Sequence, residues 1–328
     1  MKDSLIPEEI VSDYLNGRLN FTLAADLLIS IIEKSNNPEM RKKCILALEK
    51  LEGRNEKIFN VLENCLLSDE HHFVRSAAAK LIGHTYLKYG LKTLLWVIQH
   101  DKSPIVIQSI INMAANETNY HFKSIARAIS NWIEDFSIHI GVIPKESLFF
   151  LDLEVIFAQD KNNYEITPLT YAYYKKISCI NDGKPWLLIN NKHVEMLYFN
   201  YFNWYFLKIN QDIIDSFIEI RDLDTFLDLY KKYELRKFNN STIPKSLIYL
   251  NSLKKLILRR NNLGKFPEFL TQIESLQELD LSYNSLREIP DSIMNLKNLK
   301  ILKLNNNKIQ KVPKGMKSFL SSLQIFDK

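Results

Sequence analysis

The chain of 328 residues has only eight glycines and three cysteines. Neither G-x-x-x-x-G-K-[ST] nor G-x-G-x-x-G occurs, so no phosphate-cradling loop is written into it. Cys44, Cys65 and Cys179 stand far apart, and neither C-x-x-C nor H-E-x-x-H is present. The spacing that zinc ligands need is therefore missing. There is no G-x-S-x-G elbow, and no cysteine has a histidine beside it, so the common nucleophile arrangements are absent as well. No run of about 20 apolar residues exists, which excludes a membrane-spanning helix. The opening residues Met1 to Glu9 carry acids where a signal peptide would be apolar. Cys44 and Cys65 fall on apolar helical faces, the usual place of buried packing cysteines. His71 and His72 read as a surface turn, and Asp69, Glu70 and Asp101 read as helix caps. No catalytic residue, metal or cofactor is expected.

What is present is a repeat. Leu253, Leu256, Leu258, Asn261, Leu263, Phe266 and Pro267 spell L-x-x-L-x-L-x-x-N-x-L-x-x-F-P. Leu276, Leu279, Leu281, Asn284, Leu286, Ile289 and Pro290 follow at an offset of 23, and Leu299, Leu302, Leu304, Asn307, Ile309, Val312 and Pro313 at 23 again. Seven positions in register resemble the leucine-rich repeat. Each unit implies a short strand with inward leucines. The Asn would turn into the bend and bond backbone groups left unpaired there. Pro suits the descending stretch, which needs no ladder donor. One unit cannot bury its own apolar face, so stacking supplies the core. Extracellular members of this family carry disulfide-bonded caps, and none is visible, so a reducing cytoplasm is the expected compartment.

Upstream the register degrades. Tyr230, Tyr233, Leu235, Ile243 and Pro244 suggest an irregular unit with Phe238 at the Asn position, and Val194, Leu197, Phe199, Phe202 and Trp204 a second. Two extended runs around Asn190-Asn191-Lys192-His193 read as a hairpin covering the exposed end of the array. Downstream, Leu323 and Phe326 begin a further strand at an offset of 24. Its edge, with Leu320 and Ile325, is expected to be shielded by a turn near Ser318 to Ser322; dimerisation or truncation are the alternatives.

The N-terminal third has helical periodicity. Helices are expected at Phe21 to Lys34 and Glu39 to Leu51, at Lys57 to Leu67 and Phe73 to His84, at Leu91 to Gln99 and Pro104 to Ala115, and at Ser124 to Phe136. Val74-Arg75-Ser76-Ala77-Ala78-Ala79-Lys80-Leu81-Ile82-Gly83 resembles the V-R-x-x-A-A-x-x-L-G signature of HEAT repeats. The flanking units lack the Val-Arg pair and the central alanines. Residues 137–185 read as an adaptor, with Leu151 to Phe157 open between helix and strand and Thr167 to Ile180 favouring helix. The expected fold is an α+β repeat protein: an N-terminal α-solenoid of HEAT-like helix pairs (1–136), an adaptor and cap (137–193), and a leucine-rich repeat α/β solenoid with a parallel sheet (194–328).

Charge is uneven. Residues 1–229 hold 24 Lys and Arg against 30 Asp and Glu, whereas residues 230–328 hold 19 against 8. Strand alternation sends the x positions to the concave face. There the rows around Lys231 to Lys237 and Lys254 to Arg260 are basic, with an aromatic row beside them. Tyr198, Tyr201, Lys232, Arg236, Lys255, an exposed Ile257, Arg259, Arg260, Tyr283 and Lys303 are the candidate partner-binding residues. Lys-rich strands also keep sheets soluble, which is the bland account of the same row.

The family resemblance implies a non-catalytic scaffold that binds a protein with an acidic surface, and by analogy signalling proteins such as small GTPases. An acidic helical solenoid would offer a second face and counts against nucleic acid, the second reading. A lyase-like enzyme built on HEAT-like repeats is the third. Docking of the acidic half on the basic half, within one chain or between two, is a further expectation.

Overall fold

Asparagine and proline punctuate the first helices. A computed structural model describes residues 6–115, 122–158, 187–199, 243–313 and 315–327. The chain divides into two compact units, Met1–Trp132 and Ile133–Lys328. In the first, α1 (Pro7–Leu15) precedes α2 (Phe21–Lys34), α3 (Pro38–Leu48), α4 (Glu56–Ser68), α5 (His72–Thr85), α6 (Leu87–His100) and α7 (Pro104–Ala115), and α8 (Phe122–Ile140) follows. The side chains of Asn20, Asn37 and Asn55 accept the first free amides of α2, α3 and α4, as N-caps do. Pro7 and Pro38 occupy the first turn, where no donor is lost.

The expected helix pairs form. α5 is the hub, packed against α3, α4, α6 and α7. Its Ala77, Ala78 and Ala79 are buried, and so is Gly83, where a Cβ would lie 1.6 Å from the Met113 sulfur. Two helices differ from expectation. α1 buries only Pro7, Ile10 and Val11, too few apolar positions to show a period. α6 begins at Leu87, not Leu91, because Gly90 reads as a break but serves close packing: a Cβ there would meet Ile82 at 2.2 Å.

A polar ladder ties neighbouring helix pairs together. Arg75 makes two bonds to Asp101, at 2.8 and 3.1 Å, and donates to the carbonyls of Asp69 and Glu70. One repeat earlier, Arg41 grips Asp69 at 2.7 and 2.8 Å and donates to the Ser35 carbonyl. Asp69 and Asp101 each also accept the amide two residues on. Met40-Arg41 thus repeats Val74-Arg75 at an offset of 34, a signal that the search for a Val-Arg pair passes over. Hydrogen bonding to Asp69 raises the Arg41 pKa. Cys44 and Cys65 are buried, and burial pushes both thiols up to about 12, so they pack as thiols and not as nucleophiles. Cys179 and Thr167 to Ile180 lie outside the described residues.

The second unit is built on one sheet of six strands: β1 (Leu187–Asn190), β2 (His193–Tyr198), β3 (Lys255–Ile257), β4 (Glu278–Asp280), β5 (Ile301–Lys303) and β6 (Ile325–Asp327), in that spatial order. β1 and β2 are antiparallel and the rest parallel. The hairpin turns at Asn191 and Lys192, with φ of 48° and 64°, the double left-handed turn that suits the twist of two strands. Leu256, Leu279 and Leu302 point to the core, fully buried. The 3₁₀ turns Lys245–Tyr249, Glu268–Gln272 and Asp291–Asn295 follow Pro244, Pro267 and Pro290 and bury Leu247, Leu270 and Ile293.

The stretch left open between helix and strand is helix α9 (Pro144–Ala158). It seals the hairpin end of the array. The Glu146 carboxylate, with no exposure, accepts from His193 Nδ1 and from the Val194 amide, both at 2.8 Å. Phe149 meets Phe199 at 6.1 Å between ring centres, and Asp152 accepts from the Ser246 hydroxyl. At the other end, α10 (Met316–Ser321) stands where a shielding turn is expected. Met316 is buried, yet Ile325 remains 48% exposed, so the shield over β6 is partial.

β2 pairs directly with β3, Met196 opposite Lys255 and Tyr198 opposite Ile257. Residues 230–237, where an irregular unit is expected, lie outside the described residues.

Replacing Arg75 by Ala should cost the helical unit about 3 kcal/mol, because Asp101, with 7% side-chain exposure, would be left charged and unpaired. Arg18→Ala, at a pair exposed by 72% and 40%, should cost under about 1 kcal/mol. Urea titrations followed by circular dichroism compare the two; equal losses would contradict the ladder. Burial, with His71 and Arg75 beside it, holds the His72 pKa down at about 4 against an ordinary 6.5. The unfolded chain then binds the extra proton, so stability present above pH 6.5 drains as pH falls toward 4. His72→Gln should flatten the pH dependence of the melting temperature across that window.

Candidate protein-interaction surface

The register of the parallel strands lays the outward side chains in two rows. One holds Met196, Lys255, Glu278, Ile301 and Ile325, the other Tyr198, Ile257, Asp280, Lys303 and Asp327. Lysines of this face are largely neutralised by carboxylates of the same face. Lys254 meets Glu195 at 2.7 Å, Lys255 meets Glu278 at 2.7 Å, and Lys303 approaches the same Glu278 at 3.8 Å. The lysine rows therefore carry far less free charge than their sequence suggests. Ile257, expected to be exposed, is 3% exposed. It lies mid-row between Tyr198 and Asp280, where neighbours on both strands close over an aliphatic side chain. Tyr201, Lys232 and Arg236 lie outside the described residues.

Just past the strands the arrangement changes. Arg260, Tyr283 and Asn306 occupy equivalent repeat positions, each preceding the ladder Asn, with φ of 61°, 56° and 57°. The inter-repeat bonds continue through this bend: the Arg260 amide donates to the Ser282 carbonyl at 3.1 Å and the Tyr283 amide to the Asn305 carbonyl at 2.9 Å. Left-handed backbone is costly for Arg and Tyr, so these bulky residues sit where Asn or Gly would be easier. The bend gathers three side chains. The Arg259 guanidinium lies 4.4 Å from the Tyr283 ring centre and that of Arg260 5.0 Å, within cation–π range. Arg259 Nε is buried with no hydrogen-bond partner, and among the described residues neither arginine is in an ion pair. Of the ten candidates, the structure thus brings together Arg259, Arg260 and Tyr283. Only the third was separated from the other two in sequence, by one repeat.

The helical region carries almost no net charge. Residues 1–136 hold 16 basic and 17 acidic side chains, so the acidic excess of the first 229 residues lies in 137–229. What α6 exposes instead is aromatic: Tyr89 is 68% exposed and Trp96 48%, the latter stacked on His100 at 4.3 Å. Sequence reasoning counted charge over too long a window to see this. Among the described residues, no group of three His, Cys, Asp or Glu side chains is placed to hold a metal ion, and no helix is long and apolar enough to cross a membrane.

Residues 17–118 match the family model of HEAT repeats, and residues 274–327 match that of the leucine rich repeat. The chain carries a HEAT repeat region in its N-terminal part and leucine rich repeats in its C-terminal part. The unit of β3 precedes the matched stretch but has the same strand, turn and Asn. No curated protein matches the chain.

Proposed function

We propose that the chain is a non-catalytic interaction scaffold of the cytoplasm that holds a protein partner through its leucine rich repeat unit. Repeats of both kinds are typical interaction scaffolds, which supports the coarse reading. The observation that carries the finer one is the Arg259–Tyr283–Arg260 cluster. In a sheet whose lysines already have carboxylates, these two guanidinium groups have none among the described residues, and a tyrosine ring holds both in place. Arg and Tyr dominate binding energy at interfaces because they combine large contact area with directed donors. The unpaired charge selects a partner with an acidic surface; by family analogy that class includes signalling proteins such as small GTPases. In this reading residues 1–136 form the helical domain and offer the aromatic strip of α6 as a second face. Residues 137–193 join and cap, and 194–328 form the binding domain.

Affinity capture from a lysate, read by mass spectrometry, compares the wild type with Arg259→Glu/Arg260→Glu. The paired reversal should weaken retention of the partner at least about thirtyfold, the scale of losing an interface hot spot. A partner held equally by both proteins, or retention of nucleic acid alone, would contradict the assigned surface.

A further inference from the structure

Two neighbouring helices of the first unit share an outer face with an aromatic ridge and a charged flank on each side. The Phe59 ring of α4 lies 6.0 Å from the Tyr89 ring of α6, and Thr93 of α6 donates to the Glu63 carboxylate. Both contacts join residues thirty apart. The two helices therefore run side by side in the same direction, and residues of that offset stand level. Beside this seam Tyr89 and Trp96 form an exposed ridge, and the stack on His100 fixes the Trp96 ring. Two helical turns separate the two aromatic residues, so they share one stripe of α6. Around α6, Thr93 lies on the side of that stripe facing α4, and Lys88 and Lys92 lie on the side away from it. Glu56 and Glu63 belong to α4 and line the near side.

The flanks match in level as well as in sign. Lys92 is one residue off the level of Glu63, and Lys88 two off that of Glu56. Lys88, Lys92 and Glu56 are exposed, and among the described residues the ion pairs of this unit join other side chains. Thr93 engages one oxygen of Glu63 and leaves its charge in place.

We propose that this face docks a second copy of the chain, around a two-fold axis lying along the ridge. A two-fold interface must be complementary to itself. An axis along the ridge sets Tyr89 and Trp96 against their own counterparts and exchanges the flanks, so the lysines of each copy meet the glutamates of the other on both sides. An axis across the ridge would oppose like charges. Tyrosine and tryptophan supply much of the binding energy at such contacts, and the small patch places the dimer among weak associations. The inference rests on the reading of α6 as a second face and is independent of the Arg259–Tyr283–Arg260 cluster.

Sedimentation equilibrium of the full chain, from low to high micromolar concentration, should show a monomer–dimer equilibrium. Trp96→Ala should weaken it at least about tenfold. Lys88→Glu/Lys92→Glu and Glu56→Lys/Glu63→Lys should each stay monomeric alone, because like charges then meet on both flanks. Mixed in equal amounts, the two variants should associate, since opposite charges face each other again. Unchanged circular dichroism confirms that the variants fold. A chain monomeric at every concentration, a dimer indifferent to Trp96→Ala, or a mixture that fails to associate would each overturn the proposal. If the chain is monomeric but Trp96→Ala loses a protein captured from lysate, the second face takes a different partner and only this proposal fails. If Trp96→Ala changes neither, the second-face reading fails with it, and the cluster reading, tested by Arg259→Glu/Arg260→Glu, is untouched.

Discussion

The buried amide of Asn284 is the interaction on which the leucine-rich unit depends. Its Nδ2 donates to the carbonyls of Leu258 and Leu281 at 2.9 Å each, and its Oδ1 accepts the amides of Asn261 and Leu263 at 2.9 and 3.0 Å. One side chain therefore satisfies backbone groups of two successive repeats at a bend where neither strand nor turn can pair them. Asn307 repeats the pattern with Leu281, Leu304 and Leu286. Asn261 makes only half of it: Nδ2 donates to the Phe199 carbonyl, while Oδ1 is buried without a partner. Asn261 belongs to the first unit of the series, and its oxygen is an orphaned acceptor. Leucine packing supplies the bulk of the burial, but the asparagines set the register in which it occurs.

The helical unit solves the same problem with charge. Asp69 and Asp101 take amides of their own turns and an arginine of the preceding repeat, and each arginine returns donors to main-chain carbonyls. Both halves of the chain are thus arrays in which a polar side chain at a fixed repeat position serves two neighbours. Such coupling makes stability a property of adjacent pairs and not of single units.

Much of this is legible in the sequence because period constrains burial. The leucine and asparagine positions of three units, the helix pairs and the Asn191-Lys192 turn follow from spacing and residue type. Where reading fails, it fails for tertiary reasons. Arg41 is concealed because Met40 replaces Val, and only its partner Asp69 reveals its equivalence to Arg75. A 23-residue step back from Leu253 lands on Tyr230, but β3 finds its neighbour at β2, 59 residues away. Ile257 alternates outward as predicted, yet its row buries it. Lys255 and Lys303 count as basic in sequence and are paired with Glu278 in space. Pairing across strands, invisible along the chain, is what turns a lysine-rich row into a largely compensated one.

That compensation gives the surface its character. The sheet face is largely compensated by its own carboxylates, and Arg259 and Arg260 lie just past the strands, against Tyr283, at the bend held by the asparagine ladder. The left-handed residues Arg260 and Tyr283 owe their position to that bend, so the proposed interaction surface depends on the ladder as the fold does. Hydrogen exchange on Asn284→Ala measures this dependence most directly. The amides of Asn261 and Leu263 should lose protection by at least about tenfold relative to that of Leu286, which bonds Asn307 instead. Unchanged protection at Asn261 and Leu263 would contradict the account.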